Sequence, residues 1–390
     1  YKLPFDDKET FEMLARGETM GTFQLGGSGM TRWLKELKPT TIDDIMAMVA
    51  FYRPGPMESI PEYIRSKHNP ELIEYLDPRM EKYLGASFGL LVYQDDVILT
   101  AIELAGYNWT EADKFRKAIG KKIPAEMEKQ KIKFFQGCRD NGKLSEEKIN
   151  RLWETIEPFA AYGFNKSHAA SYGTVAYQTS YMKAHYPVQY MTAILQAESG
   201  DTDKVAEIVA ECRRMNINVL PPDVNESYRN FAMVSKPGDS GRIRFGLNAV
   251  KNLGEHISGV IYRERKERWP YQTLEDLLER IDDKDLNKKS VESLIKSGAL
   301  DCFGFDRGLL LFNVENILAF VRERREHKNT SQNSLFAGSS IMLDNKVKLK
   351  DTLAVSLDDK LKWEKELLGL YVSAHPFDYF RKLMARALVP

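Results

Sequence analysis

Strict alternation of apolar and polar residues, the mark of a half-buried strand, is scarce in this chain, and the clearest instance, Arg242-Ile-Arg-Phe245, is short. Helix starts, by contrast, recur. Thr41-Ile-Asp-Asp44 and Thr273-Leu-Glu-Asp276 both stand ahead of apolar periodic stretches, where a Thr hydroxyl can accept the orphan amides of a first turn. Ser145-Glu-Glu-Lys148 opens another amphipathic stretch through Leu152, Trp153 and Ile156. The expected fold is therefore mainly α with minor β elements.

At 390 residues the chain has room for two or three domains. Pro221-Pro222-Asp223 is expected to end a helical segment, because a proline pair cannot continue a helix. The polar, breaker-rich stretch from about His327 to Thr352 reads as a linker, and Leu361–Leu370 as helix again. Residues 246–265 and 286–303 read as two short helix-hairpin units. The three cysteines, Cys138, Cys212 and Cys302, are far apart and lack any CxxC pairing, which fits a reducing cytoplasm without structural zinc. No uncharged apolar run approaches the ~18 residues of a membrane span, so no membrane partner is expected. The chain opens on YKLPFDDKETF without an initiator Met and stops at ALVP, and is expected to be an internal segment of a longer protein.

Lys/Arg and Asp/Glu balance at 56 each, so only the distribution of charge is informative. From Lys114 to Lys133 there are eight Lys/Arg against two Glu, and Arg116, Lys117, Lys121 and Lys122 fall within seven residues around Gly120. Such clustered cations suit a triphosphate or a phosphodiester backbone; a solvated basic face is the alternative. Between Pro158 and Ala197 there is no Asp or Glu at all. Lys166, Lys183, His168 and His185 stand there with seven Phe or Tyr, from Tyr162 to Tyr190. At 100° per residue His168, Tyr172, Thr179 and Lys183 share one helical face, opposite Tyr177 and Tyr181. An acid-free, basic and aromatic face is the pattern expected near phosphates and bases, with a buried helix of satisfied tyrosines as the alternative. Arg53-Pro-Gly-Pro56 places a rigid turn directly after an arginine, which fixes where its guanidinium points.

In Gly246-Leu-Asn-Ala-Val-Lys-Asn-Leu-Gly254, a glycine-bearing turn ahead of a helix presents consecutive amides that suit a phosphate oxygen, and Lys251 adds charge. An ordinary αα-hairpin with a Gly cap reads the same way. Gln332-Asn-Ser-Leu-Phe336 sets two large apolar residues in an otherwise polar stretch, a pattern that favours docking. No GxxxxGK[ST], HExxH or GxSxG pattern and no Cys/His metal cluster occurs. The carboxylate pairs Asp6-Asp7, Asp43-Asp44, Asp95-Asp96 and Asp282-Asp283 sit among helix caps and surface runs, so no catalytic or metal-binding residue is assigned.

Ten blocks occur in order: FQLGGSGM (23–30), AFYRPGPM (50–57), VYQDDV (92–97), ADKFRKAIGKK (112–122), YGFNKSHAASY (162–172), AYQTSYMKAHYP (176–187), LPPDVNES (220–227), IRFGLNAVKNLG (243–254), LIKSGALDCFG (294–304) and EKELLGLYVSAHP (364–376). Together they resemble the bacterial C-family replicative DNA polymerases, the family of the DNA polymerase III alpha subunit, over nearly the whole chain. The resemblance implies a fingers domain at 1–200, then distal fingers with tandem helix-hairpin-helix elements at 201–310. A linker with a clamp-binding motif would follow at 311–360, and the start of an OB-fold region at 361–390. It implies dNTP triphosphate contacts at Arg53, Arg116, Lys117, Lys121, Lys122, Lys166 and His168. Primer-template DNA contacts would lie at Gly246, Lys251, Asn252, Gly254 and Lys183, and a sliding-clamp contact at Gln332, Ser334, Leu335 and Phe336. Other replicase subunits are implied partners. The Mg²⁺ ions of the two-metal mechanism would be held by palm aspartates that precede the first block. Two departures stand out: Gly26 replaces the usual Glu, and Asn252-Leu-Gly254 has Asn where the family has glycine, a residue that tolerates left-handed φ better than most. A non-enzymatic α-helical DNA-binding scaffold and an error-prone relative of the same family are the alternative readings.

Overall fold

The helix starts form as their side chains dictate. In a computed structural model that describes residues 3–121, 124–159, 162–235, 241–333 and 346–374, Thr41 Oγ1 accepts the Asp44 amide at 3.4 Å and Asp44 accepts the Thr41 amide at 3.1 Å. Thr273 accepts the Asp276 amide at 3.2 Å, while Asp276 reaches the Gln272 amide instead of that of Thr273. The chain divides into two compact units, residues 1–186 and 187–390.

The first unit is helical: α1 (Lys8–Ala15), α2 (Ser28–Leu37), α3 (Ile42–Phe51), α4 (Ile60–His68), α5 (Glu81–Leu84), α6 (Gln94–Ala105), α7 (Trp109–Lys121), α8 (Pro124–Asp140), α9 (Glu146–Phe159) and α10 (Lys166–His185). It holds two cores. In one, Phe11, Leu34, Met48, Phe51 and Tyr63 pack with Tyr177 of α10. In the other, Val97, Leu104, Phe115, Phe134 and Trp153 join α6 to α9, and the Phe115 and Phe134 rings stack at 5.2 Å.

The second unit carries α11 (Pro187–Ala197) and α12 (Thr202–Arg214), then β1 (Val219–Leu220), β2 (Ala232–Val234) and β3 (Arg242–Arg244). The strands form one sheet of order β1-β3-β2, parallel between β1 and β3 and antiparallel between β2 and β3. There follow α13 (Glu255–Arg268), α14 (Leu274–Arg280), α15 (Lys288–Lys296), α16 (Arg307–Phe312), α17 (Val314–Asn333) and α18 (Leu357–Leu368). The strand expected at 242–245 is β3. No helix among the described residues is long and apolar enough to cross a membrane.

Three expected boundaries shift. The units divide at 186/187 instead of near 200, because Val188, Met191 and Leu195 of α11 lie in the second core. Pro221-Pro222 follows a strand, the helix before it having stopped at Arg214, with the left-handed Asn216 (φ 57°) reversing the chain. The expected linker at 311–360 contains α17, whose Val314, Ile317, Phe320 and Val321 recur at helical spacing and are buried in the second core. Val347 is buried as well, so residues 314–321 and Val347 of the expected linker pack into the second core, as does Leu368 of α18 beyond it; residues 334–345 lie outside the described residues.

Candidate nucleotide and nucleic-acid interface

In the first unit one isolated parallel bridge, Tyr93 to Phe164, organises the basic residues. The Gln94 amide donates to Phe164 O at 2.9 Å, and its side-chain amide donates to Gly163 O at 3.1 Å. This pins the start of α6 to the loop that leads into α10. Asp96 holds α6's first turn: buried at 2% exposure, it accepts the Val92 and Tyr93 amides at 2.8 and 2.7 Å. Burial pushes its carboxyl up to about 6, against the lowering effect of those amides. Asn165 caps α10 by accepting the His168 amide at 2.9 Å.

The expected nucleotide-binding residues gather around this bridge. Arg53 donates from Nε to Ala50 O at 2.7 Å and from Nη2 to Tyr162 O, and its guanidinium lies 4.5 Å from the centre of the Phe164 ring. Burial lowers its pKa below the ordinary guanidinium value. Gly55 gives the turn its φ of 100°, and a Cβ there would meet the Tyr162 ring at 2.8 Å, so only glycine fits. Arg116 donates from Nη1 to Gln94 Oε1 at 3.0 Å and from Nη2 to Asp113 at 2.8 Å. Lys117 pairs with the same Asp113 at 2.6 Å. Lys166, exposed at the start of α10, places Nζ 5.4 Å from the Tyr93 ring centre, and its amide donates to Asp95 at 3.4 Å. The exposed His168 ring sits between Phe164 (5.3 Å) and Tyr172 (4.2 Å), and Tyr172 packs on Phe23 (5.3 Å). Cations thus border a row of partly open rings. Lys121 ends α7, and Lys122 lies outside the described residues.

Gln94 and Asp113 complete this arrangement. No sequence signal singles out Gln94, whose role depends on a loop some seventy positions away. Asp113 was legible in principle, since Arg116 and Lys117 stand three and four residues on, the spacing at which helical side chains meet.

Lys183 is a correction. It is 0% exposed and donates to Glu18 O and Met20 O, both at 2.9 Å, so it cannot reach DNA. The buried stripe of α10 runs through Ala169, Gly173, Ala176, Tyr177, Ser180 and Lys183, which puts Lys183 with Tyr177 and not with His168. Tyr177 is core, its hydroxyl donating to Pro4 O at 2.6 Å.

In the second unit, a 3-10 turn at Leu247–Ala249 and a left-handed Asn252 (φ 67°) lead into α13. Gly254 is its N-cap, without a side-chain cap, and Lys251, Asn252 and Gly254 are exposed. A helix N-terminus left open in this way suits a phosphate oxygen. Gly254 has an ordinary φ of −68°, and a Cβ there would meet nothing within 4 Å, so backbone conformation does not require glycine. Gly246 is a second correction: it is buried, and a Cβ would lie 2.6 Å from Asn230 Cα, so its role is packing.

Asp44 and Asp96, two of the acids in the carboxylate pairs, serve as helix caps. Among the described residues one His/carboxylate group has metal-compatible spacing, His256, Asp283 and Asp285, with ligand atoms within 4.8 Å of one another. There His256 Nε2 and Asp283 already share a hydrogen bond of 2.7 Å. Gln332 falls in the last turn of α17, and Ser334, Leu335 and Phe336 lie outside the described residues.

Comparison with known proteins matches residues 1–142 to the bacterial DNA polymerase III alpha subunit finger domain and residues 216–310 to a helix-hairpin-helix motif. DNA polymerase III subunit alpha of Thermus aquaticus is 45% identical over 96% of this chain and 30% of its own length. The subunits of Chlamydia pneumoniae and Mycobacterium tuberculosis are each 40% identical, over 99% and 98% of the chain and 31% and 33% of their own lengths. The chain thus spans about a third of the relatives it matches, and it belongs, as a segment of that length, to the DNA polymerase III alpha subunit family.

Proposed function

We propose that this chain is the part of a template-directed DNA polymerase that contacts the incoming dNTP and the primer-template. The observation that carries the reading is the gathering of Arg53, Arg116, Lys117, Lys166 and His168 around the Tyr93–Phe164 bridge. Arg116, Lys117 and Lys166 supply cations for a triphosphate. The row Phe164, His168, Tyr172 and Phe23 supplies ring faces for a base pair. Arg53 acts differently: with its donors on two carbonyls, it positions the loop. In the second unit the 251–254 turn grips the duplex backbone without reading bases. Mg²⁺, held by residues outside this chain in the complete enzyme, would neutralise the triphosphate's developing charge.

The test is made in the complete polymerase. Arg116→Ala or Lys166→Ala should raise KM for dNTP by roughly tenfold or more, since a charge-assisted hydrogen bond contributes about 1.5–3 kcal/mol, and should change primer-template Kd less. An unchanged KM with weakened DNA binding would reassign these residues to the duplex. Gln332-Asn-Ser-Leu-Phe336 is read as a sliding-clamp tether, in which burial of Leu335 and Phe336 contributes roughly 3–6 kcal/mol before ordering costs. A peptide of residues 330–338 should bind the clamp with micromolar Kd, and no binding at high micromolar concentration would remove the clamp from the proposal.

A further inference from the structure

Along α13, Glu255, Gly259, Tyr262, Arg263 and Lys266 fall within one helical stripe at 100° per residue. Gly259 has no side chain to cover that stripe, and two guanidiniums meet above it. A Cβ built at Gly259 would lie 3.5 Å from Arg263 Nη1, 3.7 Å from Arg229 Nε and 3.9 Å from Arg229 Cζ. Arg229 belongs to a different segment, and its backbone is fixed there. Leu247 and Asn248 donate to Tyr228 O and Arg229 O at 3.0 and 2.9 Å, and Gly246 packs on Asn230.

Both arginines are exposed, and among the described residues neither guanidinium has a carboxylate or a hydrogen-bond acceptor. Neighbouring arginines do have partners: Arg265 donates to Val224 O and Ser227 O, Arg244 pairs with Glu226, and Arg268 faces Glu264. Two like charges converging without a counter-ion repel each other, and an anion between them reverses that term. Guanidinium forks match the oxygens of a phosphate. Beside the pair, the Tyr228 and Tyr262 rings lie 5.5 Å apart, with Tyr228 45% exposed, and Lys266 Nζ is 5.9 Å from the Tyr262 ring.

We propose that Arg229 and Arg263, converging over Gly259, form a phosphate-binding site that takes a phosphodiester of the DNA backbone, distinct from the open amides at the start of α13. The site deepens the reading of the second unit as DNA-binding and rests on it. It carries no base specificity, because its donors address phosphate oxygens. Tyr228 offers a ring face to an unstacked base if the phosphodiester belongs to a single strand.

The experiment uses the whole 390-residue chain, with fluorescence anisotropy on a single-stranded oligonucleotide and on a duplex across a salt series. Arg229→Gln with Arg263→Gln should weaken binding about tenfold and lower the slope of log K against log salt by about one. Arg229→Lys with Arg263→Lys should keep the slope and lose part of the affinity, which also covers failure of the Gln variant to fold. A larger loss on the single strand assigns the phosphodiester to unpaired DNA, and an equal loss assigns it to the duplex. Thermal stabilisation by inorganic phosphate should appear in the unsubstituted chain and vanish in the Gln variant. Unchanged affinity and slope, with Lys251→Ala still weakening binding, overturn the arginine site and leave the DNA-binding reading standing. A chain that binds neither form of DNA sinks that reading, and the phosphate arm then decides the arginine pair by itself.

Discussion

Arg307 at the start of α16 donates from Nη1 to Glu364 Oε1 of α18 at 3.1 Å, and the two side chains are only 5% and 0% exposed. Glu364 also accepts the Val372 and Ser373 amides at 2.9 and 3.0 Å, and Arg307 pairs with Asp301 at 2.6 Å. The pair ties the segment after α17 into the second core. Removing Glu364 leaves Arg307 with Asp301 alone and strips the Val372 and Ser373 amides of their acceptor, so Glu364→Ala should destabilise the second unit by about 1–3 kcal/mol. Glu364→Gln, which keeps an acceptor for the amides, should lose less. Chemical denaturation checks both, and a loss under about 1 kcal/mol for the alanine variant would show the pair to be dispensable.

Asp96 makes stability pH-dependent with a defined sign. Its carboxyl is raised from 3.8 to about 6 by burial, so folding favours the protonated form. That contribution is complete below 3.8 and is lost as pH rises through about 6. Relative to Asp96→Asn, which cannot titrate, the unsubstituted chain should lose roughly 3 kcal/mol across this window. Other carboxylates, such as Asp77 held low chiefly by its hydrogen bond to Arg79, run the opposite way, so the difference between the two chains is the quantity to measure. A flat difference would mean that Asp96 is hydrated in solution.

Lys183→Met should destabilise the first unit by roughly 3 kcal/mol. It replaces a charged donor by an apolar chain of similar length and strips Glu18 O and Met20 O of a buried partner. DNA affinity measured below the unfolding transition should keep its salt slope. A slope lower by one would place Lys183 on a phosphate after all.

The two hairpin glycines should separate. Gly246→Ala sets a methyl against the Asn230 backbone and should lower stability by about 1–3 kcal/mol. Gly254→Val, at an ordinary φ in open space, should leave the melting temperature nearly unchanged while weakening DNA binding equally across sequences. Equal thermal losses in both variants would contradict this assignment.

What the sequence determined by itself is local. Thr41, Ser145 and Thr273 cap the helices they precede, Asn252 takes the left-handed turn, and Arg242–Arg244 forms a strand. Each follows from interactions a few residues long. The cation clusters were legible for the same reason, since charge density needs no fold to be counted. The tertiary structure alone decided which of those cations face solvent. Lys166 and Lys183 lie on one helix, yet the second is buried, with its ammonium donating hydrogen bonds to carbonyls about 165 positions away. Likewise Arg53 points into the loop at Tyr162, Gly246 is pressed on Asn230, and Arg307 meets Glu364 across 57 positions. Helical periodicity defines the faces of an element, but which face meets a neighbour depends on the whole core into which both must pack.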